Sequence, residues 1–361
     1  MGYERFVARR YLRSGRFFIS VSTWITILGV TLGVAVVCFV MSMHNGFESE
    51  IRARLLGTTS HISIFPVRAG EFITNYREII DSVQKVPGVV AASPFIYYKA
   101  AIASQSAGDG IIVRGIMPEE ERLTSTVADN IAAGEYTFDE IITADDDTIP
   151  GIILGKNLAD RLGAYLGSEV FLWSLRGEDI KKNTRPRVAK YYVSGIFETG
   201  MYEFDAQLAY ISLPSAQKLF RTGNAVTTVH MRLTDVYQAE SLRPVIDSLL
   251  NFEYEVVPWN ILHRNLFAWI AIEKKVLFLG FILIVLVAAF SIISTLVMLT
   301  MEKRAEIGIL KTIGSTPASI RKIFVYKGLA IASGGVIGGW ILALIASWIQ
   351  NQYQIVSLPP D

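Results

Sequence analysis

The chain has 361 residues, of which 51% are hydrophobic and 19% are charged, and its formal net charge is +1. This mixture predicts a few membrane spans joined to a sizeable aqueous domain, and the near-zero net charge argues against a general nucleic-acid binder. The single cysteine, Cys38, lies in an apolar run, so no disulfide forms within the chain.

The N-terminal region predicts a basic helix at the membrane surface followed by a first span. Residues 1–19 carry five arginines and one acidic side chain. Residues 20–43 hold no charge, and this length of helix reaches about 36 Å, enough to cross a bilayer. Because arginine favours the cytoplasmic side, we expect a cytoplasmic N-terminus and place residues 44–275 outside the membrane.

The external region contains two similar β-α-β patterns, recognised by alternating strands and helical spacing between them. They comprise strand 59–66, helix 72–86 and strand 89–104, then strand 225–233, helix 237–250 and strand 254–259. Two such units around an insertion suggest a split β-α-β arrangement. We expect a membrane-proximal subdomain built from residues 44–117 and 223–275.

The insertion, residues 118–222, is predicted to be a β-rich second subdomain. Its start is acidic, but the spacing does not match a calcium loop, so we interpret it as a solvated face and predict no metal site. A hook-like arm is predicted at 176–190, between two strands. Its six basic residues suit an acidic partner, although a flexible hairpin with solvated charges is the alternative. They are Arg176, Lys181, Lys182, Arg185, Arg187 and Lys190.

The C-terminal third predicts two more spans with a charged segment between them. Residues 276–301 form the second span and residues 323–349, rich in glycine, the third. Between them, residues 302–322 have helical spacing and then a turn at Gly314 and Pro317. We predict a short amphipathic helix along the membrane, placed to touch a soluble partner; a merely interfacial helix with solvated charges is the alternative.

Signatures of catalysis are missing from the sequence. There is no G-x-x-x-x-G-K-[ST] phosphate loop and no G-x-S-x-G elbow, and the four histidines are scattered. We read the chain as non-catalytic, with no cofactor of its own.

Several stretches carry a family resemblance that covers nearly all of the chain. The run Glu302–Pro317 (EKRAEIGILKTIGSTP) resembles the cytoplasmic coupling segment of MacB/FtsX-type ABC permeases. The run Ser42–Glu48 (SMHNGFE) resembles the first-span exit of the LolC/LolE branch, with His44 where that family has methionine. Pro186-Arg187, Gly195-Ile196-Phe197 and Gly200–Asp205 (GMYEFD) are similar to that branch too, whereas Lys181-Lys182-Asn183 replaces its usual Pro-x-Gly.

The resemblance implies a membrane α-helical protein with a MacB-like periplasmic core of two subdomains. It implies the permease subunit of an ATP-driven complex that extracts lipoproteins from the bacterial inner membrane and passes them to a periplasmic chaperone. ATP and Mg would bind to a separate ABC-type ATPase dimer. The other implied partners are a second permease, identical or homologous, a triacylated lipoprotein and the lipid bilayer.

Three sets of site residues follow from the resemblance. The ATPase-coupling set is Glu302, Lys303, Arg304, Glu306, Ile309, Leu310, Lys311, Gly314 and Pro317. The chaperone-binding arm uses Arg176, Lys181, Lys182, Arg185, Pro186 and Arg187. The lipoprotein cavity is lined by Val40, Met43, Phe47, Phe278, Phe281 and Ile282.

Two alternatives stay open: a MacB-like efflux component and an FtsX-like signalling scaffold that activates cell-wall hydrolases. A neighbouring ATPase gene beside a lipoprotein chaperone gene would favour lipoprotein release over both. The family has four spans and this chain three, so we expect residues 350–361 to be a periplasmic end, truncated before the fourth.

Overall fold

The computed structural model describes residues 21–68, 70–142, 147–174, 186–353 and 355. The predicted N-terminal helix at 1–19 and four arm residues, Arg176, Lys181, Lys182 and Arg185, lie outside them. The chain divides into two compact units. The helical unit is Met1–Ser49 with Ala268–Leu358, and the sheet unit is Glu50–Phe267 with Pro359–Asp361.

The helices and strands follow one another in this order: α1 (Val21–Thr58), β1 (Ile62–Pro66), α2 (Tyr76–Val83), β2 (Val89–Ala103), β3 (Gly108–Ile116), α3 (Pro118–Thr124), β4 (Ile131–Gly134), β5 (Glu140–Ile142), β6 (Thr148–Gly155), α4 (Lys156–Leu162), β7 (Glu169–Ser174), β8 (Val188–Phe197), α5 (Tyr202–Gln207), β9 (Leu208–Ser212), α6 (Leu213–Phe220), β10 (Thr228–Leu233), α7 (Ala239–Leu249), β11 (Tyr254–Pro258), α8 (Trp259–Leu262), α9 (Arg264–Glu302), α10 (Arg304–Thr312) and α11 (Pro317–Tyr353). Two short 3-10 helices, Val127–Asn130 and Val236–Gln238, precede β4 and α7.

Three of the described helices, α1, α9 and α11, are long and apolar enough to cross a membrane. Helix α1 continues to Thr58, well beyond residue 43 where the uncharged run ends. A helix needs backbone hydrogen bonds and good local pairs rather than apolar side chains, and the Glu50–Arg54 pair at i,i+4 supplies one such contact at 2.8 Å. The boundaries of the spans themselves stay a prediction.

One hydrogen-bonded sheet network organises the sheet unit, in the order β11-β1-β10-β2-β3-β9-β6-β8-β4, with β5 beside β6 and β7 joining β2 to β8. Strand β10 lies between β1 and β2, and β1 lies between β10 and β11. The two β-α-β units are therefore interleaved, which is the split arrangement.

Strands of the segment 118–222 belong to this same network. Strand β9 pairs in parallel with β3, and β7 pairs with β2 from Ala100↔Ser174 to Ala103↔Phe171. The core on which the helices α2, α4, α6 and α7 pack is apolar, and its fully buried side chains include Tyr191 and Phe220. A second, smaller apolar cluster contains Phe95, Phe197 and Tyr210. The proposed division into two subdomains stays a prediction.

Candidate functional site

The residues predicted for a lipoprotein cavity lie on α1 and α9 in the helical unit. Met43 is 39% exposed, Phe47 43% and Phe278 64%. Ile282 is exposed as well, while Val40 and Phe281 are half-buried. Large apolar side chains are thus left without full cover on both helices, which suits contact with acyl chains or lipid. Their assignment to a cavity stays a prediction.

One ion pair and one histidine–carboxylate contact join α1 to α9 at the same level of the helical unit. His44 is 8% exposed, and its Nδ1 lies 3.9 Å from Glu273 Oε1, while Lys274 Nζ lies 3.5 Å from Glu48 Oε2. These polar groups alternate along α1 with Met43 and Phe47. The predicted apolar residues therefore sit beside a charged crosslink between the two helices.

Small residues let the other helix contacts form closely. A Cβ on Gly335 would lie 2.7 Å from Val30 Cβ, and one on Gly339 would lie 2.6 Å from the carbonyl oxygen of Thr31. Gly338 also faces Thr31. Gly335, Gly338 and Gly339 therefore let α11 approach α1 closely, whereas a Cβ added to Gly334 would meet no atom within 4 Å among the described residues outside its own helix backbone.

The predicted coupling residues run through one short helix and its two ends. Glu302 ends α9, Lys303 precedes α10 and binds Glu306 through its ammonium group, and Pro317 begins α11. Arg304, Glu306, Ile309, Leu310 and Lys311 lie within α10. None of the residues of α10 is buried, and Ile309 is 59% exposed.

A complete capping motif ends α10. The Ser315 N–H donates to the Leu310 carbonyl at 3.0 Å and the Gly314 N–H to the Lys311 carbonyl at 3.1 Å, with Gly314 at φ +98°. This is the Schellman pattern, which needs a left-handed residue and explains the glycine. Thr316 then caps α11, since its Oγ1 accepts from the Ser319 N–H at 3.3 Å. The turn predicted at Gly314 and Pro317 is confirmed.

The base of the predicted arm lies in the described residues. Strands β7 and β8 pair there, and the Ser174 N–H donates to the Arg187 carbonyl at 3.0 Å. The guanidinium of Arg187 donates to the Lys218 carbonyl. Lys190 Nζ lies 2.8 Å from Glu169 Oε1. Both described basic residues are thus engaged within the sheet unit, and Pro186 precedes them.

Sequence reasoning missed a junction at the end of α1. Arg54 Nη1 donates to the Gly200 carbonyl at 2.8 Å, and the buried Asp205 carboxylate accepts from the backbone N–H groups of Thr199 and Gly200. Burial raises the pKa of Asp205, and these hydrogen bonds act against that rise. The GMYEFD resemblance pointed to one side of the junction; no sequence signal pointed to Arg54.

A buried polar cluster lies behind that junction. Arg114 Nη1 donates to the Tyr210 hydroxyl at 2.8 Å, and its guanidinium lies over the rings of Phe95 and Phe204. Burial raises the pKa of Glu121, which accepts from Ser93 and Thr124. Within the described part of the chain, no three His, Cys, Asp or Glu side chains gather as metal ligands.

Comparison with known proteins defines the class. A model of the MacB-like periplasmic core domain matches residues 23–249, and a model of the FtsX-like permease C-terminal region matches residues 278–360. Together with the three apolar helices and the α+β sheet unit, these matches make the chain a membrane permease of the MacB/FtsX type. Among solved structures, the periplasmic region of MacB from Actinobacillus actinomycetemcomitans is similar at 13% identity and a TM-score of 0.37, covering 59% of this chain and 94% of that chain.

Full-length relatives narrow the class to one family. The lipoprotein-releasing system transmembrane protein LolC of Neisseria meningitidis is 32% identical, with 96% of this chain and 82% of that protein covered. LolC of Xylella fastidiosa is also 32% identical, over 98% of this chain and 86% of its own length. LolE of Haemophilus influenzae is 26% identical over 88% of this chain and 75% of its own length. The chain belongs to the LolC/LolE family, as the sequence motifs predicted.

Proposed function

We propose that this chain is the permease subunit of an ATP-driven complex that extracts lipoproteins from the bacterial inner membrane and hands them to a periplasmic chaperone. The observation that carries the proposal is the 32% identity to a lipoprotein-releasing LolC over 96% of the chain. A match of that extent includes the apolar helices, the sheet unit and the segment around α10 together. The N-terminus would be cytoplasmic and the sheet unit periplasmic.

Helix α10 is the proposed contact with the ATPase. It carries exposed Ile309, and Ile313 just after it is 78% exposed, so a partner can cover apolar surface there. ATP and Mg would bind to that ATPase dimer, whose closure would push α10 and so tilt the adjoining spans. A second permease subunit would face this one across the complex.

The exposed apolar residues of α1 and α9 are the proposed contact with the triacylated lipoprotein. Methionine and phenylalanine adapt to chains of irregular shape, and here they lie at the level of the Lys274–Glu48 ion pair and the His44–Glu273 contact, which join the helices. A change in the tilt of the spans would press on an acyl chain held there. The chaperone would be met at the basic arm, residues 176–190.

The experiment is reconstitution of the chain with its partner ATPase in proteoliposomes that carry a triacylated lipoprotein, followed by addition of the soluble chaperone. We expect ATP-dependent transfer of the lipoprotein to the chaperone. Photocrosslinkers at Phe47 and at Arg185 or Arg187 should capture lipoprotein and chaperone respectively. An active ATPase with no transfer, or capture of an efflux adaptor or cell-wall hydrolase instead, would overturn the proposal.

A matched pair of substitutions tests the ATPase contact. Ile313→Asp places a charge on the exposed end of α10, whereas Ile142→Asp does so at a residue of the sheet unit that is 73% exposed. Loss of a central apolar anchor weakens association by about tenfold or more. The first variant should therefore lose ATPase on co-purification and the second should keep it; equal recovery of ATPase would remove α10 from the contact.

A further inference from the structure

We infer that helix α1 is coupled directly to strand β8 through the bond from Arg54 to the Gly200 carbonyl, so that movement of α1 reaches the base of the arm along that strand. The inference rests on the proposed function for its purpose, because it names the route by which a tilting span would act on the sheet unit. Its evidence is independent and lies wholly within the sheet unit.

Arg54 is held ready for this contact by its own helix. Its Nε donates to Glu50 Oε1 one turn earlier at 2.8 Å, which leaves Nη1 directed at the Gly200 carbonyl, also at 2.8 Å. The side chain is 32% exposed. A charge-assisted bond in this partly buried position is stronger than an ordinary surface contact.

The acceptor is equally well fixed. Asp205 accepts from the Thr199 N–H, the Thr199 hydroxyl and the Gly200 N–H at 2.9 to 3.1 Å, so the loop after β8 cannot shift freely. Gly200 has φ +69°, and a Cβ there would lie 2.1 Å from Arg54 Nη1. The loop conformation and the close approach of the arginine both require glycine.

A second contact brings α1 to the same strand. The Gly57 carbonyl accepts from both the N–H and the hydroxyl of Thr126 at 3.0 Å. Thr126 leads through the 3-10 helix into β4, which pairs with β8 at Ile131↔Phe197. Both contacts of the α1 end therefore converge on the C-terminal end of β8.

Strand β8 is suited to carry a displacement. Its ten residues extend about 33 Å, and it is paired with β6, β7 and β4 along its length. Its other end adjoins Arg187, whose carbonyl bonds to Ser174 at the base of the arm. By contrast, the covalent continuation of α1 is β1, and at least three strands, β10, β2 and β7, separate β1 from β8.

Three arginine variants and two glycine variants test the coupling in the complex with the partner ATPase. Arg54→Met removes the donor, Arg54→Lys restores a cation that can donate to a carbonyl, and Arg243→Met removes an arginine whose i,i+4 partner is Asp247 on α7. Gly200→Ala displaces Arg54, whereas Gly223→Ala meets open space at a similar φ of +64°. The alanine pair therefore shares its backbone strain and differs only in the effect on Arg54.

Release and hydrolysis are measured together. Because a hydrogen bond from a charged donor changes an equilibrium by about tenfold or more, Arg54→Met and Gly200→Ala should slow lipoprotein release about tenfold. ATPase activity and recovery of the complex should stay near wild type, and Arg54→Lys should restore part of the release. Arg243→Met and Gly223→Ala should release normally. If the wild-type complex releases lipoprotein and the Arg54→Met complex releases it at the same rate, the inference is overturned.

Hydrogen exchange separates this inference from the proposed function. In the wild-type complex, trapping with ADP–vanadate should change exchange at residues 198–201 and at 186–190; Arg54→Met should abolish that change and Arg243→Met should retain it. If the wild-type complex released no lipoprotein, the proposed function would fail. Hydrogen exchange would still test whether α1 is coupled to β8. A wild-type complex with no change there, or a change that survives Arg54→Met, would overturn the coupling itself.

Discussion

The helical unit exposes large apolar side chains of the kinds that the sheet unit buries. Of the 39 residues of α9, only Ile270, Thr295 and Leu299 are buried, and Phe290 is 67% exposed. In the sheet unit, Phe197 is completely buried and packs edge-on against Tyr210. Apolar surface is costly only where water would cover it, so a unit surrounded by lipid can leave its large side chains outside.

The two units also differ in what brings their elements together. In the helical unit, glycines of α11 contact α1, and the hydroxyls of Thr26 on α1 and Thr295 on α9 form a hydrogen bond. The sheet unit instead buries polar side chains such as Arg114 and Glu121, and each of them forms hydrogen bonds with neighbouring side chains. Close approach of helix backbones stabilises the helical unit, and burial of side chains stabilises the sheet unit.

The largest difference between the two units is expected when a phenylalanine is replaced by alanine in each of them. Phe197→Ala should lower the free energy of unfolding by about 4 kcal/mol because it opens a cavity in a dry core. Phe290→Ala removes an exposed ring and should change it by less than about 0.5 kcal/mol. Thermal and denaturant unfolding of the full chain in detergent measures both; equal losses would contradict an outward-facing α9.

Glycine contacts give the next largest effect. Gly339→Ala puts a methyl group against α1 and should cost about 2 kcal/mol, whereas Gly334→Ala meets open space and gains helix propensity of about 1 kcal/mol. Protease resistance of the two variants in the same detergent compares them. A Gly334→Ala protein less resistant than Gly339→Ala would show that α11 packs through its other face.

A pH effect is expected in the sheet unit. Burial and the nearby Arg114 charge lower the pKa of His230 from 6.5 to about 3, and its ring stacks on Phe95 at 3.9 Å. Between those values the unfolded chain binds a proton that the folded chain does not, so stability falls as the pH drops below 6.5. His230 as a whole residue is half-buried rather than buried, and the nearby solvent limits the size of the effect.

His230→Gln removes that difference in proton binding. The loss of unfolding free energy between pH 7 and pH 5 should therefore be smaller in the variant by about 1 kcal/mol. Between pH 7 and pH 8 the variant and wild type should change in parallel, which serves as the control. Parallel curves over the acid range as well would mean that His230 titrates normally.

The smallest effect is expected at the arm base. Lys190 and Glu169 form a partly exposed ion pair across β7 and β8, and such pairs contribute about 0.3 kcal/mol. A double-mutant cycle with Lys190→Met and Glu169→Gln measures the coupling. A coupling energy above about 1 kcal/mol would indicate that the ion pair stabilises the pairing of β7 with β8.

Local periodicity was enough to predict the elements of the two β-α-β units in the sheet unit. The β-α-β patterns at 59–104 and 225–259 gave strands and helices that the structure contains, because alternation and helical spacing report directly on which face is buried. Strand neighbours could not be obtained this way. The parallel pairing of β3 with β9 joins residues nearly a hundred positions apart, and it depends on the packing of the whole sheet.

The apolar runs predicted membrane helices, but not how far each helix continues. Helix α9 begins at Arg264, before the uncharged run, since charged residues are good helix formers once outside the bilayer. The contact of Arg54 with a backbone carbonyl 146 positions away was also invisible, because a carbonyl acceptor carries no side-chain identity. The sequence alone does not distinguish Gly200 from Gly223. In the structure, a Cβ on Gly200 would meet Arg54, whereas one on Gly223 would meet open space.

The caps at both ends of the turn between α10 and α11 have a consequence for association kinetics. With the Schellman bonds at Gly314 and the Thr316 cap already formed, α10 and the start of α11 are ordered before any partner arrives. A protein that binds this surface then has no segment to fold, so little conformational entropy is lost in the encounter. The complex can therefore form quickly, while its lifetime is set by how well Ile309 and Ile313 are covered.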